Sequence, residues 1–327
     1  MTLGYDTPLY LMAFDHRGSF EHDLFGATEP VSAEVRAGII KVKEIIFDAH
    51  RQALAAGAPA SASGVLVDEE FGAGVARRAK AEGVPLAMPV EKSGQDEFEF
   101  QYGDDFGAHI EAFDPTFAKV LVRYNPAGDA SLNQRQTERL ARLSAWLRER
   151  DRKFLFELLV PATTAQLDEF DGHQRDYDRK LRPRLVVETI AALQAGGVEP
   201  DIWKIEGLDA AADCAAVVAQ ARAGGRDSVS RAGVKCIVLG RGADEPQVIE
   251  WVKIGASVDG FDGFAVGRTL WEAALKDFLA DQATRQEATD RIAGRYRDVI
   301  DAYRSAESRP AASSPGTSSQ ANDGGSR

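Results

Sequence analysis

The sequence predicts an α/β protein of the (β/α)8 barrel class, and three observations predict it. Eight short apolar runs alternate strictly with helix-forming segments along the chain. Polar and small residues gather directly after the C-terminal ends of those runs, where a barrel carries its active face. The glycine-rich turns follow the last two runs, where barrels often build phosphate sites. A doubly wound dinucleotide-binding sheet, the alternative two-layer arrangement, would carry them after the first.

The first strand, residues 10–14, ends in Asp15-His16-Arg17-Gly18-Ser19, and a helix over 33–56 follows. The second, 64–67, ends in Asp68-Glu69-Glu70 and feeds a short helix stopped at Glu82-Gly83. The third, 85–88, gives way to Pro89-Val90-Glu91-Lys92-Ser93-Gly94. The fourth, 117–124, closes at Asn125-Pro126 and precedes a helix over 133–150. The fifth, 154–160, carries one carboxylate, Glu157, in an apolar run and stops at Pro161. A charged loop and a helix over 181–195 lead to the sixth, centred on Lys204, with Gly196-Gly197 and Pro200 before it and an alanine-rich helix after it. The seventh, 234–239, runs into Gly240-Arg241-Gly242-Ala243-Asp244, and the eighth, 261–266, into Gly267-Arg268-Thr269. An amphipathic stretch over 281–305 adds one helix outside the barrel. The expectation is therefore one TIM-barrel domain over 1–307 and a disordered tail over 308–327, which is rich in Ser, Ala, Gly and Pro.

Composition bounds the function. A net charge of -12 supplies no concentrated basic face, so nucleic acid is not an expected partner, whereas a phosphorylated small molecule needs only a few local arginines. No apolar stretch approaches the roughly 20 residues of a membrane span, and the N-terminus lacks the pattern of a signal peptide. A soluble, cytoplasmic protein is expected. Cys214 and Cys236, far apart, read as two buried thiols. His16, His22, His50, His109 and His173 are scattered without an i, i+4 pair, so neither a metal nor a cofactor is expected, and most of the five read as surface or loop residues. Neither a serine nucleophile elbow nor a phosphate-binding P-loop occurs in the right context.

Three charges stand inside strands: Lys119, Glu157 and Lys204, on the fourth, fifth and sixth. Neighbouring barrel strands lie about 5 Å apart, so inward side chains on three successive strands can meet. Two readings remain open. One is a buried structural network. The other is a Schiff-base lysine, Lys204, with Lys119 as a nearby cation favouring the neutral amine and Glu157 as the proton shuttle. An ordinary lysine, with a pKa of about 10.4, is almost wholly protonated at pH 7, so a nucleophilic one needs such help. Asp15 either orients substrate hydroxyls or caps a turn. Gly240, Gly242, Gly267 and Arg268 suit a phosphate, because glycines let backbone N–H groups approach and a guanidinium adds a bidentate clamp.

Taken together, Ala13-Phe14-Asp15-His16-Arg17-Gly18-Ser19, Val67-Asp68-Glu69-Glu70-Phe71-Gly72, Lys119-Val120-Leu121, Trp203-Lys204-Ile205-Glu206 and Gly263-Phe264-Ala265-Val266-Gly267-Arg268-Thr269-Leu270-Trp271 resemble the lysine-dependent (class I) aldolases related to tagatose-bisphosphate and sulfofructose-phosphate aldolase. Glu91-Lys92-Ser93-Gly94-Gln95-Asp96-Glu97-Phe98 is most similar to the branch found alone or fused to a sugar kinase in inositol catabolism. The resemblance implies that Lys204 forms the Schiff base, Lys119 and Glu157 support it, Asp15 contacts substrate and Arg268 holds a phosphate. Asp68, in the second matching block, joins the substrate-binding set. The implied substrate is 2-deoxy-5-keto-gluconate 6-phosphate, cleaved to dihydroxyacetone phosphate and malonate semialdehyde, with Lys92 or Arg17 meeting its carboxylate. Arg123 departs from the aromatic residue usual in sugar-bisphosphate relatives. Other ketose phosphates, a non-catalytic sugar-phosphate module partnering a kinase, and a metal-dependent barrel lyase stay open as alternatives. Trp251, Trp271 and the late helices offer material for a homo-oligomer interface.

Overall fold

The computed structural model describes residues 2–27, 30–226 and 229–307; the expected tail lies outside them. In chain order the strands are β1 (Thr2–Gly4), β2 (Leu9–Ala13), β3 (Ser63–Leu66), β4 (Leu86–Pro89), β5 (Phe117–Arg123), β6 (Lys153–Leu159), β7 (Ile202–Glu206), β8 (Gly225–Arg226), β9 (Val229–Gly233), β10 (Lys235–Leu239) and β11 (Phe261–Val266). Eight of these close into a parallel barrel in the order β10-β11-β2-β3-β4-β5-β6-β7. They are the eight strands read from the sequence, displaced by a residue or two at their ends.

The helices are α1 (Ala33–Ala55), α2 (Glu69–Ala81), α3 (Phe106–Phe113), α4 (Ala130–Glu149), α5 (Thr164–Asp168), α6 (Gln174–Lys180), α7 (Arg182–Ala195), α8 (Ala211–Arg222), α9 (Glu245–Ala256), α10 (Arg268–Leu279) and α11 (Arg285–Glu307). Short polar side chains start several of them: Asp129 accepts from the backbone N–H groups of Ser131 and Leu132, and Asp244 from that of Gln247. The added helix α11 is integral to the fold. Its Tyr296 and Tyr303 hydroxyls, both buried, donate to the carbonyls of Tyr10 and Phe261, each at 2.7 Å.

Side chains alternate between the two faces of each strand. Outward ones pack on the helices. Inward ones fill the barrel's lower interior with Leu9, Leu11, Ala87, Phe117, Leu155, Ile202 and Ile237, all essentially without solvent contact. Tyr5 sits below them, edge-on to Phe117 at 4.9 Å between ring centres. Here the structure adds something the sequence did not announce: β1, β9 and β8 form a small separate sheet beneath the barrel. Asp201 stitches it on. One carboxylate oxygen accepts from the Gly4 N–H and from Lys153, and the other accepts from the Phe154 N–H.

One expectation needs correction. Trp271 is buried, stacks on Phe20 and donates its indole N–H to the Ala13 carbonyl, so it offers nothing to a partner subunit. His50 is the exception among the five histidines. It is buried between Phe47 and Tyr296, and burial pushes its pKa down to about 4. Among the described residues no helix is long and apolar enough to cross a membrane.

Candidate active site

The C-terminal ends of the barrel strands open into a cavity of about 400 Å³. Lys204 lies at its floor for a simple reason of phase. On β7 it follows Ile202 by two residues, so both point inward, but Ile202 joins the apolar interior and Lys204 stands one layer above it. Register pairs Glu157 on β6 with Lys204, and Lys119 on β5 with Leu155, one layer lower. Lys119 therefore reaches up toward Glu157.

One carboxylate oxygen, Glu157 Oε2, lies 2.9 Å from Lys204 Nζ and 3.0 Å from Lys119 Nζ. Lys119 is ringed by acids: it also donates to Asp15 Oδ2 at 2.9 Å and to Glu91 Oε1 at 2.8 Å. Asp15, Glu91, Lys119, Glu157 and Lys204 are each less than a tenth exposed. The nearby cation expected from the sequence is thus present, but three carboxylates share its charge, and Glu157 is the immediate partner of Lys204.

Burial opposes charge on every one of these acids, and the lysines decide which stay ionised. For Asp15, Lys119 and then His16 and Lys204 outweigh burial and hold the carboxyl well below its usual range. For Glu157, Lys119 and Lys204 do the same. For Glu91 burial wins over Lys119 and Arg17, and its pKa is raised. Lys119 is pushed the other way from a desolvated lysine, because Asp15, Glu157 and Glu91 more than offset burial and raise its pKa. His16, beside Asp15 and facing the cavity, is pushed down to about 4, mainly by desolvation.

The wall across the barrel from β4 and β5 is built by the turns after β10 and β11. Gly267 precedes the first residue of α10, Arg268. Any side chain there would drive a Cβ to 2.6 Å from the Ala13 carbonyl oxygen and 2.9 Å from the His16 ring. Gly242 has a φ of +70°, and a Cβ on it would strike the Arg268 guanidinium at 2.3 Å. These two glycines leave Arg268 room to lie along the turn and face the cavity. Among the described residues Arg268 has no carboxylate at ion-pair distance; its one hydrogen bond goes to the Arg241 carbonyl, at 3.5 Å. An uncompensated guanidinium at a helix start is a good receptor for a phosphate.

The remaining residues singled out from the sequence divide. Arg17 lines the cavity, but its guanidinium is engaged: it donates to the Glu91 carbonyl at 3.0 Å and lies 3.8 Å from the Glu91 carboxylate. Lys92 is exposed at the rim. Gly240 packs against Val266 and Val248 outside the cavity lining. Asp68 is far from a substrate role. It is fully buried, caps α2 by accepting from the Phe71 N–H, and is ion-paired to Lys43. Asp15 caps nothing.

Sequence reasoning missed two contributors, Glu91 and Arg241, and named a third, Arg123, only as a departure from the pattern of sugar-bisphosphate relatives. Glu91 stood in the third strand-end cluster without a role assigned, although an acid at a strand end is itself a signal. Arg241 was passed over between two glycines; its guanidinium is tied to Asp178 at 2.7 Å and Glu206 at 2.9 Å. Arg123, at the end of β5, lines the cavity, donates to the Gln95 carbonyl at 3.0 Å and, among the described residues, meets no carboxylate.

Comparison with known proteins places this barrel. A protein-family model described as "Uncharacterized protein conserved in bacteria (DUF2090)" matches residues 5–307, and the chain belongs to that family. No curated protein matches it. Among solved structures it is similar to fructose-bisphosphate aldolase from Plasmodium falciparum in complex with TRAP and a small-molecule inhibitor, with a TM-score of 0.59 and 13% identity over 91% of each chain. It is similar also to a Schiff-base-forming fructose-1,6-bisphosphate aldolase, with a TM-score of 0.53 and 15% identity over 90% of this chain and 94% of that one. A third is Cgl0159 from Corynebacterium glutamicum, with a TM-score of 0.54 and 15% identity over 90% of this chain and 88% of that one. At such identities the likeness establishes the shared barrel and nothing finer.

Proposed function

We propose that this DUF2090 chain is a class I aldolase that cleaves a phosphorylated keto sugar or keto sugar acid through an imine on Lys204. The observation that carries the reading is the Lys204–Glu157–Lys119 constellation, an amine and a carboxylate 2.9 Å apart on the floor of a cavity walled by an unpaired arginine. Structural ion networks occur in cores, but replacing buried ion pairs with apolar packing is often neutral or stabilising. A network opening onto a 400 Å³ cavity has better reason to be chemical.

The sequence of steps follows from that geometry. Lys204 Nζ adds to the keto carbon, Glu157 takes the amine proton and gives it to the carbinolamine hydroxyl, and water leaves. The iminium then accepts the electron pair of the neighbouring carbon–carbon bond as it breaks. The hydroxyl proton on the far carbon passes to Glu157, and the aldehyde departs. Reprotonation of the enamine carbon and hydrolysis of the imine return Lys204. Asp15, kept ionised, orients hydroxyls, and Glu91 holds Lys119 in place.

Barrel order supports a choice of substrate class. Arg268 follows β11 and Arg123 ends β5, strands that lie four places apart in a ring of eight and hence on opposite sides. β7, with Lys204, is two places from each. A chain-like substrate with an anion at both ends and its carbonyl near the phosphate fits between them. In this reading Arg123 receives the second anion in place of Arg17, which Glu91 occupies, or the exposed Lys92. By resemblance the first candidate is 2-deoxy-5-keto-gluconate 6-phosphate of inositol catabolism. Tagatose bisphosphate and sulfofructose phosphate also carry two anions and are the alternatives.

The test is borohydride reduction with dihydroxyacetone phosphate, followed by peptide mass analysis. An adduct on Lys204 is expected; a folded protein that binds the ligand and shows no adduct would refute the imine. With the three candidate substrates, Arg123→Ala is expected to raise KM by about tenfold or more for the true one, the loss of one charge-assisted contact.

A further inference from the structure

The Lys43–Asp68 pair is the buried feature that the proposed chemistry leaves unused. Lys43 sits in the middle of α1, fully buried, and its ammonium has three donors and three acceptors. It donates to the Phe14 carbonyl at 2.6 Å, to the His16 carbonyl at 2.9 Å, and to Asp68 Oδ1 in a short ion pair. Asp68 is fully buried too, and its other oxygen accepts from the Phe71 N–H at 2.8 Å. The two carbonyls that Lys43 gathers belong to the residues immediately before and after Asp15.

That placement matters because residues 14–16 have left β2 and belong to no regular element. The Phe14 N–H still reaches the Leu66 carbonyl, at 2.8 Å, and beyond it the sheet gives no support. Asp15 must nonetheless present Oδ2 to Lys119 at 2.9 Å. One ammonium thus holds the peptide plane that enters Asp15 and the one that leaves His16, bracketing the short stretch of backbone that sets the direction of the Asp15 side chain. A buried ion pair gains little stability over apolar packing, whereas a carboxylate held in place from behind is what a pre-organised site requires.

We infer that Lys43 and Asp68 form a positioning pair that aims Asp15 at Lys119, and through Lys119 and Glu157 sets the geometry around Lys204. The functional half of this inference rests on the imine reading; the geometric half does not. Asp68, taken from the sequence as a substrate contact, becomes the anchor of this device.

Crystal structures of Lys43→Met and Asp68→Asn test the geometry without any assumption about the reaction. Asp68→Asn keeps an oxygen for the Phe71 cap and serves where Lys43→Met fails to fold. The expected result is an Asp15 carboxylate withdrawn from hydrogen-bond distance of Lys119; an Asp15–Lys119 contact unchanged at 2.9 Å in a folded variant overturns the proposal. Activity supplies the second arm. A displacement of about 1 Å costs on the order of 100-fold in rate, so each variant is expected to lose roughly that factor in kcat with a smaller change in KM. In an Asp15→Asn background the same substitution is expected to cost far less, because the group it aims is already gone. An equal loss in both backgrounds marks the pair as merely structural and refutes the role. If the unaltered chain forms no imine, the aldolase reading falls while the crystallographic arm still decides the positioning.

Discussion

The two ends of the barrel interior are built on opposite rules. The lower end is a stack of aliphatic and aromatic side chains, Leu9, Phe117, Leu155, Ile202 and Ile237, closed below by Tyr5. One layer up on β6 and β7 stand Glu157 and Lys204, with Lys119 reaching up to them from the level of Leu155 and Asp15 and Glu91 leaning in from the strand ends. Leu155 and Glu157 are two residues apart on β6, and so are Ile202 and Lys204 on β7. The change from apolar to ionic therefore happens within one pleat. Cohesion is concentrated in one layer and, in the proposed function, reactivity in the next, so that each is expected to be alterable separately.

Lys204→Met gives the largest contrast. It is expected to abolish cleavage and borohydride trapping while changing the urea midpoint less than the neighbouring core substitution does, because Glu157 keeps Lys119 as a partner. Retained cleavage would break the division at its centre. Leu155→Ala is the complementary change, expected to cost about 2–5 kcal/mol of unfolding free energy. Its rate per folded molecule should stay close to that of the parent, measured as kcat corrected for the folded fraction. A loss of kcat as large as its loss of stability would mean that the two layers are mechanically one.

The smallest effect is electrostatic and belongs to the lower half. His50 is buried near the start of β3 with a pKa lowered from 6.5 to about 4, chiefly by desolvation. A depressed histidine is neutral in the native state, and the unfolded chain protonates first as the pH falls. Its contribution to stability is therefore intact above about pH 6.5 and is lost progressively down to about pH 4. Between pH 7 and pH 5 the loss from this residue is about 2 kcal/mol. Urea titrations at the two pH values should show it, and His50→Leu should remove that share. An unchanged pH dependence in the variant would mean that His50 does not change its protonation on folding as its burial implies.

What could be read from the sequence tracks what is local. Each barrel strand announces itself by an apolar run and a polar stop, and Lys119, Glu157 and Lys204 stand out because charge inside such a run is anomalous. Arg268 was visible through its glycines. Lys43 was not, since a lysine in a long amphipathic helix looks like solvated surface until the carbonyls facing it are known. Nor was the engagement of Arg17 by Glu91, two residues 74 positions apart. The small sheet beneath the barrel was hidden for the same reason. Its strands are two to five residues long, and β1 finds its partner only at β9.

That last pairing imposes an order in time. Thr2 is matched with Ser230, and Leu9 with Gly263, so β1 and β2 are completed only by strands made much later. At about 5–20 residues per second, synthesis leaves a delay on the order of 10–45 s between the emergence of β1 and that of its partner. Until β11 emerges, β2 can pair with β3 along one edge and has no partner along the other. The ring can close only when β11 arrives.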